Sequence, residues 1–329
     1  MIKTSMYPLR FEPIYQYRLW GGRRLADLFS APLHGEGHIG EAWLLSDRDD
    51  HSTKVADGPL KGSTIRQLSE NSPEQLLGRS AGEWKRFPLL LKFLDVHEKL
   101  SVQVHPKDGK KGYIPAGESG KTEAWVVLEA SPSSRIYAGL KPGVTRDDLE
   151  RALANRTIAE LLASFTPNVG DAVFIPAGTV HSLDNLVVFE VQQNSDITYR
   201  LDDWDHVDPN TGSPRPLQIA EAKACVDFAQ VAIHPVEPLV EEEAPVRRER
   251  LFHCDHFTLW RHTAQHPFKV GAADTPRVLV GVAGAGEIEY RGAPYRLGLG
   301  EVVLLPAEVG ECVYRPRGTS VVLEAAPPE

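Results

Sequence analysis

The chain has 329 residues, 42% of them hydrophobic and 25% charged, with a net charge of -9 at pH 7. That length can bury one large core or two smaller ones. The acidic balance excludes a general nucleic-acid binder, although a local basic pocket for a small anion remains compatible with it.

The opening MIKTSMYPLRFEP lacks the apolar core of a signal peptide, and no apolar run reaches membrane-span length. A cytoplasmic protein without a membrane partner is therefore expected. GSTIRQLSENSPEQLLG predicts one or two short helices around 64–77. Strands are predicted over 89–94, 100–105, 123–129 and 135–138. TRDDLERALANRTIAELLASF then predicts a helix with Thr145 as N-cap, an acidic first turn and apolar spacing to Leu162. Strands follow at 171–176 and 186–192, and PLQIAEAKACVDF predicts a helix near 216–228. The Pro- and charge-rich PVEPLVEEEAPVRRER, 235–250, reads as a surface connection. It divides the chain into a catalytic metal-binding domain, 1–234, and a C-terminal β domain, 235–329. Strands at 278–282, 286–290, 302–305 and 320–324 complete the pattern. Short strands between Gly/Pro turns, with few helices, indicate an all-β sandwich or barrel.

GDAVFIPAGTVHSL (170–183) resembles GEVVLLPAEVGECV (300–313). Two β units of one architecture would explain this. The second carries Glu308 in place of Gly178 and Glu311 in place of His181, so it is expected to bind no metal.

The chemistry concentrates in KLSVQVHPKD, 99–108. Leu100, Val102 and Val104 share one strand face; Ser101, Gln103 and His105 share the other. Alternate strand residues lie roughly 6.6 Å apart on one face, so Gln103 and His105 can converge on one small object. GKTEAWVVL follows, with Lys121 and Glu123 on a common face. GDAVFIPAGTVHSLDN ends a strand at Pro176, turns at Gly178 and presents His181. Two imidazoles, a carboxylate and an amide oxygen suit a divalent metal with N/O ligands, and the absence of thiolate suits a catalytic ion. His34, His38, His51, His253, His256, His262 and His266 have no such partners.

Other signals fail. GESGKTE is not a P-loop, because Pro115 occupies the first glycine position and a strand follows. GVAGAGEIEY has Glu289 where a dinucleotide fingerprint needs glycine. Cys225, Cys254 and Cys312 are widely spaced, which suggests a reducing compartment without a disulfide framework.

Gly170, Pro176, Gly178, His181 and Asn185 stand at the spacing of the second cupin motif. The H-x-H of the usual first motif is absent; LSVQVHPKD and GKTEAWVVL stand in its place. With WGGRRL, GEAW, PLLLKFLD and FEVQQNSDITYRLDDW, the chain from about 7 to 325 resembles the type I phosphomannose isomerases in their compact bacterial form. The resemblance implies two cupin-like jelly-roll barrels, the second degenerate. It implies one Zn²⁺ per chain on Gln103, His105, Glu123 and His181. It places Arg200, Glu190 and Lys121 in catalysis and Ser101 and Lys92 at the substrate. Lys121 also belongs among its substrate-associated lysines. His206 stands where larger members carry a substrate-contacting lysine. The implied reaction interconverts mannose 6-phosphate and fructose 6-phosphate through a cis-enediol, in a monomer or homodimer. Isomerisation of another aldose phosphate or a free sugar, and sugar binding without catalysis, are the competing readings.

Overall fold

A computed structural model describes residues 5–29, 37–229 and 232–328; His34 lies outside them. The protein is mostly β with a few short helices. Two sheets enclose the first half. One has six strands in the order Ala172–Ile175, Glu123–Glu129, Leu186–Gln193, Leu89–Val96, Ile14–Gly22, Ile39–Leu45. The other has five: Leu162–Phe165, Arg135–Leu140, His181–Asp184, Val102–Val104, Tyr199–Asp202.

The central strands Leu89–Val96 and Leu186–Gln193 are buried along their whole length. Strand alternation explains how one sheet serves two environments. Leu89, Leu91 and Phe93 point to the main core with Val187, Phe189 and Val191. Phe93 and Phe189 are cross-strand partners and meet edge-on, centroids 5.9 Å apart. On the opposite face, Lys92 and Glu190 are also cross-strand partners, and both line an internal cavity.

The C-terminal segment supplies six strands of an eight-stranded sheet and all of a four-stranded one. The chain's first strand, Leu9–Glu12, joins the larger one by pairing with Val302–Leu305. Residues 235–250 are not a surface connection: Leu239–Glu242 and Val246–His253 are antiparallel strands of that sheet. Val246, Glu249, Leu251 and Phe252 are buried there, an irregular buried set hidden beneath the charge. Glu249 is tolerated because Arg261 and Arg247 pair with it.

The predicted helices form. Thr64 caps Ile65–Asn71 with a reciprocal Gln67 bond, and Pro73–Leu77 follows. Thr145 caps Arg146–Asn155, but the helix ends there and the apolar spacing beyond becomes a 3₁₀ turn and a strand. The third spans Ile219–Cys225. Of the two similar segments, the first gives strands Ala172–Ile175 and His181–Asp184, and the second gives Val302–Leu305 and Cys312–Pro316. Glu311, opposite His181 in that comparison, is exposed and pairs with Lys269. No helix among the described residues is long and apolar enough to cross a membrane.

Candidate metal centre and active site

The short strand Val102–Val104 lies between two partners. Gln103 is opposite His181 on one side and opposite Arg200 on the other. Ser101, Gln103 and His105 are all buried, so the polar face of this strand turns inward. Gly178 adopts φ +93°, a conformation open to glycine. Its N–H bonds the carbonyl of His105 at 2.8 Å, which ties the turn before His181 to His105. Asn185, at φ +53°, turns the chain from His181–Asp184 into Leu186–Gln193. The motif's Gly and Asn thus fix where its histidine stands.

His105, Glu123 and His181 form a buried cluster whose ligand atoms all lie within 4.8 Å of one another. Both imidazoles are held in one tautomer. His105 Nδ1 lies 2.7 Å from the Ile197 carbonyl, and His181 Nδ1 lies 2.9 Å from the Thr179 carbonyl. A carbonyl can only accept, so each Nδ1 carries the proton and each Nε2 presents a lone pair. Those Nε2 atoms lie 3.4 Å and 3.3 Å from the two oxygens of Glu123. His105 Nε2 and Glu123 Oε1 are buried without a hydrogen bond. Buried lone pairs left without donors call for a cation, and backbone anchoring of the distal ring nitrogen is how metal-ligating histidines are oriented. The donor set therefore fits a divalent ion. Gln103 completes the group: Ser101 Oγ donates to its Oε1 at 3.0 Å, and its Nε2 lies 3.1 Å from His181 Nε2. A half-turn of this amide exchanges the two atoms and puts the oxygen toward the cluster.

Burial shifts these groups strongly. It pushes His105 down to about 3, helped by the charge of Lys121 and opposed by Glu123, so the ring stays neutral. His181 is lowered by burial too. Burial alone would raise Glu123, but the charge of Lys121 holds it well below the usual carboxylate range. Lys121 Nζ stands 2.8 Å from Glu123 Oε2, and this pairing raises its pKa despite burial.

The cavity beside the cluster has a volume of about 390 Å³. Lys92, Gln103, Lys121, Glu123, Glu190 and Arg200 all line it. Glu190 behaves unlike Glu123. Burial, and then the charge of Glu123, raise its pKa against the pull of Lys121 and Lys92. Its Oε2 accepts from Trp125 Nε1 at 2.9 Å while Oε1 has no hydrogen bond. Two carboxylates in one cavity are thus pushed in opposite directions, the arrangement that separates a proton carrier from a fixed charge. Ser101 reaches the cavity only through Gln103. Lys92 Nζ sits among three carboxylates, 3.5 Å from Glu190, 3.7 Å from Asp196 and 3.8 Å from Glu41. His206 lies near Asp203 and Glu98 instead of on the cavity wall.

Sequence reasoning missed Arg18, Glu41, Asp196 and Arg215, which also line the cavity. Arg18 and Glu41 come from Ile14–Gly22 and Ile39–Leu45, strands not predicted from the sequence. The alternation in GEAWLL, with Glu41 two residues from Trp43, was the available signal. Trp43 Nε1 and Arg18 both bind Glu41.

Residues 9–124 match the family model of the type I phosphomannose isomerase catalytic domain. Over 311 residues the chain is 32% identical to the mannose-6-phosphate isomerase ManA of Bacillus subtilis, covering 92% of this chain and 94% of that protein. It is 31% identical over 301 residues to the mannose-6-phosphate isomerase of Streptococcus mutans, covering 91% and 92%. The crystal structure of the mannose 6-phosphate isomerase from B. subtilis matches with a TM-score of 0.88 at 29% identity, covering 97% of this chain and 99% of that one. The paired sheets around a buried His/Glu/His cluster are the cupin architecture. Within it, the chain belongs to the type I phosphomannose isomerase family.

Proposed function

We propose that the protein interconverts mannose 6-phosphate and fructose 6-phosphate with one Zn²⁺ per chain. The ion would be held by Gln103, His105, Glu123 and His181. The observation that carries this reading is one cavity joining a buried His/Glu/His cluster of lone pairs to a carboxyl of raised pKa. The names of the relatives support the substrate.

When bound, the ion supplies a Lewis acid for the sugar oxygens and a fixed point for their orientation. The remaining work falls to side chains. Moving a proton between C1 and C2 of the open-chain sugar, through a cis-enediol, needs one group that both takes and returns it. Glu190 Oε1 has that role, and the Trp125 bond to Oε2 keeps the other oxygen out of it. Arg200, across from Gln103, faces the oxygen that gains negative charge. Lys121, protonated on Glu123, adds positive charge on the same side. Lys92, close to Glu190, contacts substrate from the cavity wall. The free cysteines Cys225, Cys254 and Cys312 accord with a cytoplasmic location.

The test is a coupled assay of fructose 6-phosphate formation from mannose 6-phosphate, run after chelation and after Zn²⁺ is returned. Activity restored by zinc in the parent protein and missing in His181→Ala supports the reading. A folded, zinc-loaded protein inert on mannose 6-phosphate overturns it.

A further inference from the structure

The cavity carries two guanidinium groups, Arg200 and Arg215, that differ in their surroundings. Arg200 stands beside the ligand cluster, in register with Gln103. It has no ion-pair partner among the described residues, and its Nε is buried without a hydrogen bond. Arg215 leaves the hairpin formed by Val207–Asp208 and Ser213–Pro214. Asp203 accepts from its Nε at 2.8 Å and from Nη2 at 2.5 Å. The remaining amino group, Nη1, has no partner among the described residues. Tyr17 Oη donates to Asp208 Oδ1 at 2.9 Å, which fixes the hairpin to the opposite wall of the same cavity.

The other cations on this wall are engaged. Arg18 makes a two-point pair with Glu41, Lys92 lies among three carboxylates, and Lys121 is on Glu123. Arg200 and Arg215 feel each other: burial first, and then the charge of Arg215, push Arg200 down. Like charges on a half-buried wall repel unless an anion comes between them. An open-chain hexose 6-phosphate has its reacting carbons at one end and its dianion at the other. With C1 and C2 at the ligand cluster, the phosphate needs a cation on the cavity wall away from that cluster.

We propose that Arg215, oriented by Asp203, holds the substrate's phosphate and sets the preference for phosphorylated over free sugars. This rests on the sugar-phosphate reading above. Arg215 acts on the substrate directly; Asp203 is a positioning residue.

Inorganic phosphate is the first probe, because its binding can be followed by calorimetry without turnover. Arg215→Gln weakens phosphate binding about 10- to 100-fold, the range for one charge-assisted contact. Arg215→Lys, which keeps the charge and loses the fork, falls between it and the parent, and Asp203→Asn weakens binding in the same direction. In turnover, the ratio of kcat/KM for mannose 6-phosphate to that for mannose falls by a similar factor in Arg215→Gln, mainly through KM. Phosphate binding that is unchanged in a folded Arg215→Gln protein, or absent from the parent protein, overturns the assignment. Failure of the parent protein to isomerise mannose 6-phosphate sinks the functional reading, and the phosphate titration still decides the role of Arg215.

Discussion

Replacing Glu190 by Gln separates chemistry from architecture at this site. The substitution keeps shape and keeps an acceptor for Trp125 Nε1, now 2.9 Å from the carboxylate. It removes the only function the mechanism asks of Oε1, the taking and return of a proton. Positioned acid–base groups contribute about 10²- to 10⁴-fold, so kcat should fall by that factor. KM should move only a few-fold, because Arg200, Arg215 and the ligand cluster are untouched. Stability should shift little: the residue is buried, but the charge lost is one whose ionised form burial already disfavours. The assay is steady-state kinetics by fructose 6-phosphate formation, with exchange of the C2 hydrogen into D₂O followed by NMR and melting recorded alongside. A variant that retains more than about a tenth of parental kcat, or exchanges hydrogen at the parental rate, refutes Glu190 as the proton carrier.

How much of this was legible in the sequence depended on how local the signal was. His105, Glu123 and His181 sit at strand ends near Gly or Pro and Gln103 lies on the same short strand segment as His105, where alternation and turn chemistry are readable, and the structure brings all four together. The capped helices at Thr64 and Thr145 were legible for the same reason. Arg215 was not, because its place is set by a two-strand hairpin and by Tyr17, 191 residues from Asp208 in the chain. Strand Leu9–Glu12 is short, and its pairing with Val302–Leu305 is a contact across almost the whole chain. Residues 235–250 misled because charged residues on a half-exposed strand look like a solvated linker. Only Glu249 and Leu251, buried two residues apart between half-exposed arginines, hint at a strand, and buried Val246 and Phe252 fall outside that alternation. The different fates of Glu123 and Glu190 could not be read at all, since they depend on Lys121 pairing directly with Glu123 and on the charge of Glu123 bearing on Glu190 in space.

Chelation should abolish activity and lower the melting temperature, and Zn²⁺ should restore both. At a free-metal concentration about 100 times Kd the ion adds about 2.7 kcal/mol, and an apo protein melting at the holo temperature would contradict a buried ligand cluster. Phe93→Ala should cost about 3–5 kcal/mol in urea unfolding, since this fully buried ring packs edge-on against Phe29 and Phe189. A loss below about 1 kcal/mol would mean that the core closes over the gap. The last prediction concerns pH and Glu41. Burial works to raise its pKa, but Arg18 and Lys92 outweigh burial and hold it below the usual range. A carboxylate with a depressed folded-state pKa stabilises fully above its unfolded value, about 4.3, and loses that contribution as pH falls toward the folded value. Glu41→Gln keeps acceptors for Arg18 and Trp43 but removes the charge between two cations. The variant should be less stable at pH 7, and the gap to the parent should narrow as pH drops from 5 to 3. Denaturant midpoints measured across that range decide it: a gap that stays constant down to pH 3 would show that Glu41 contributes through its shape and hydrogen bonds, with its charge irrelevant.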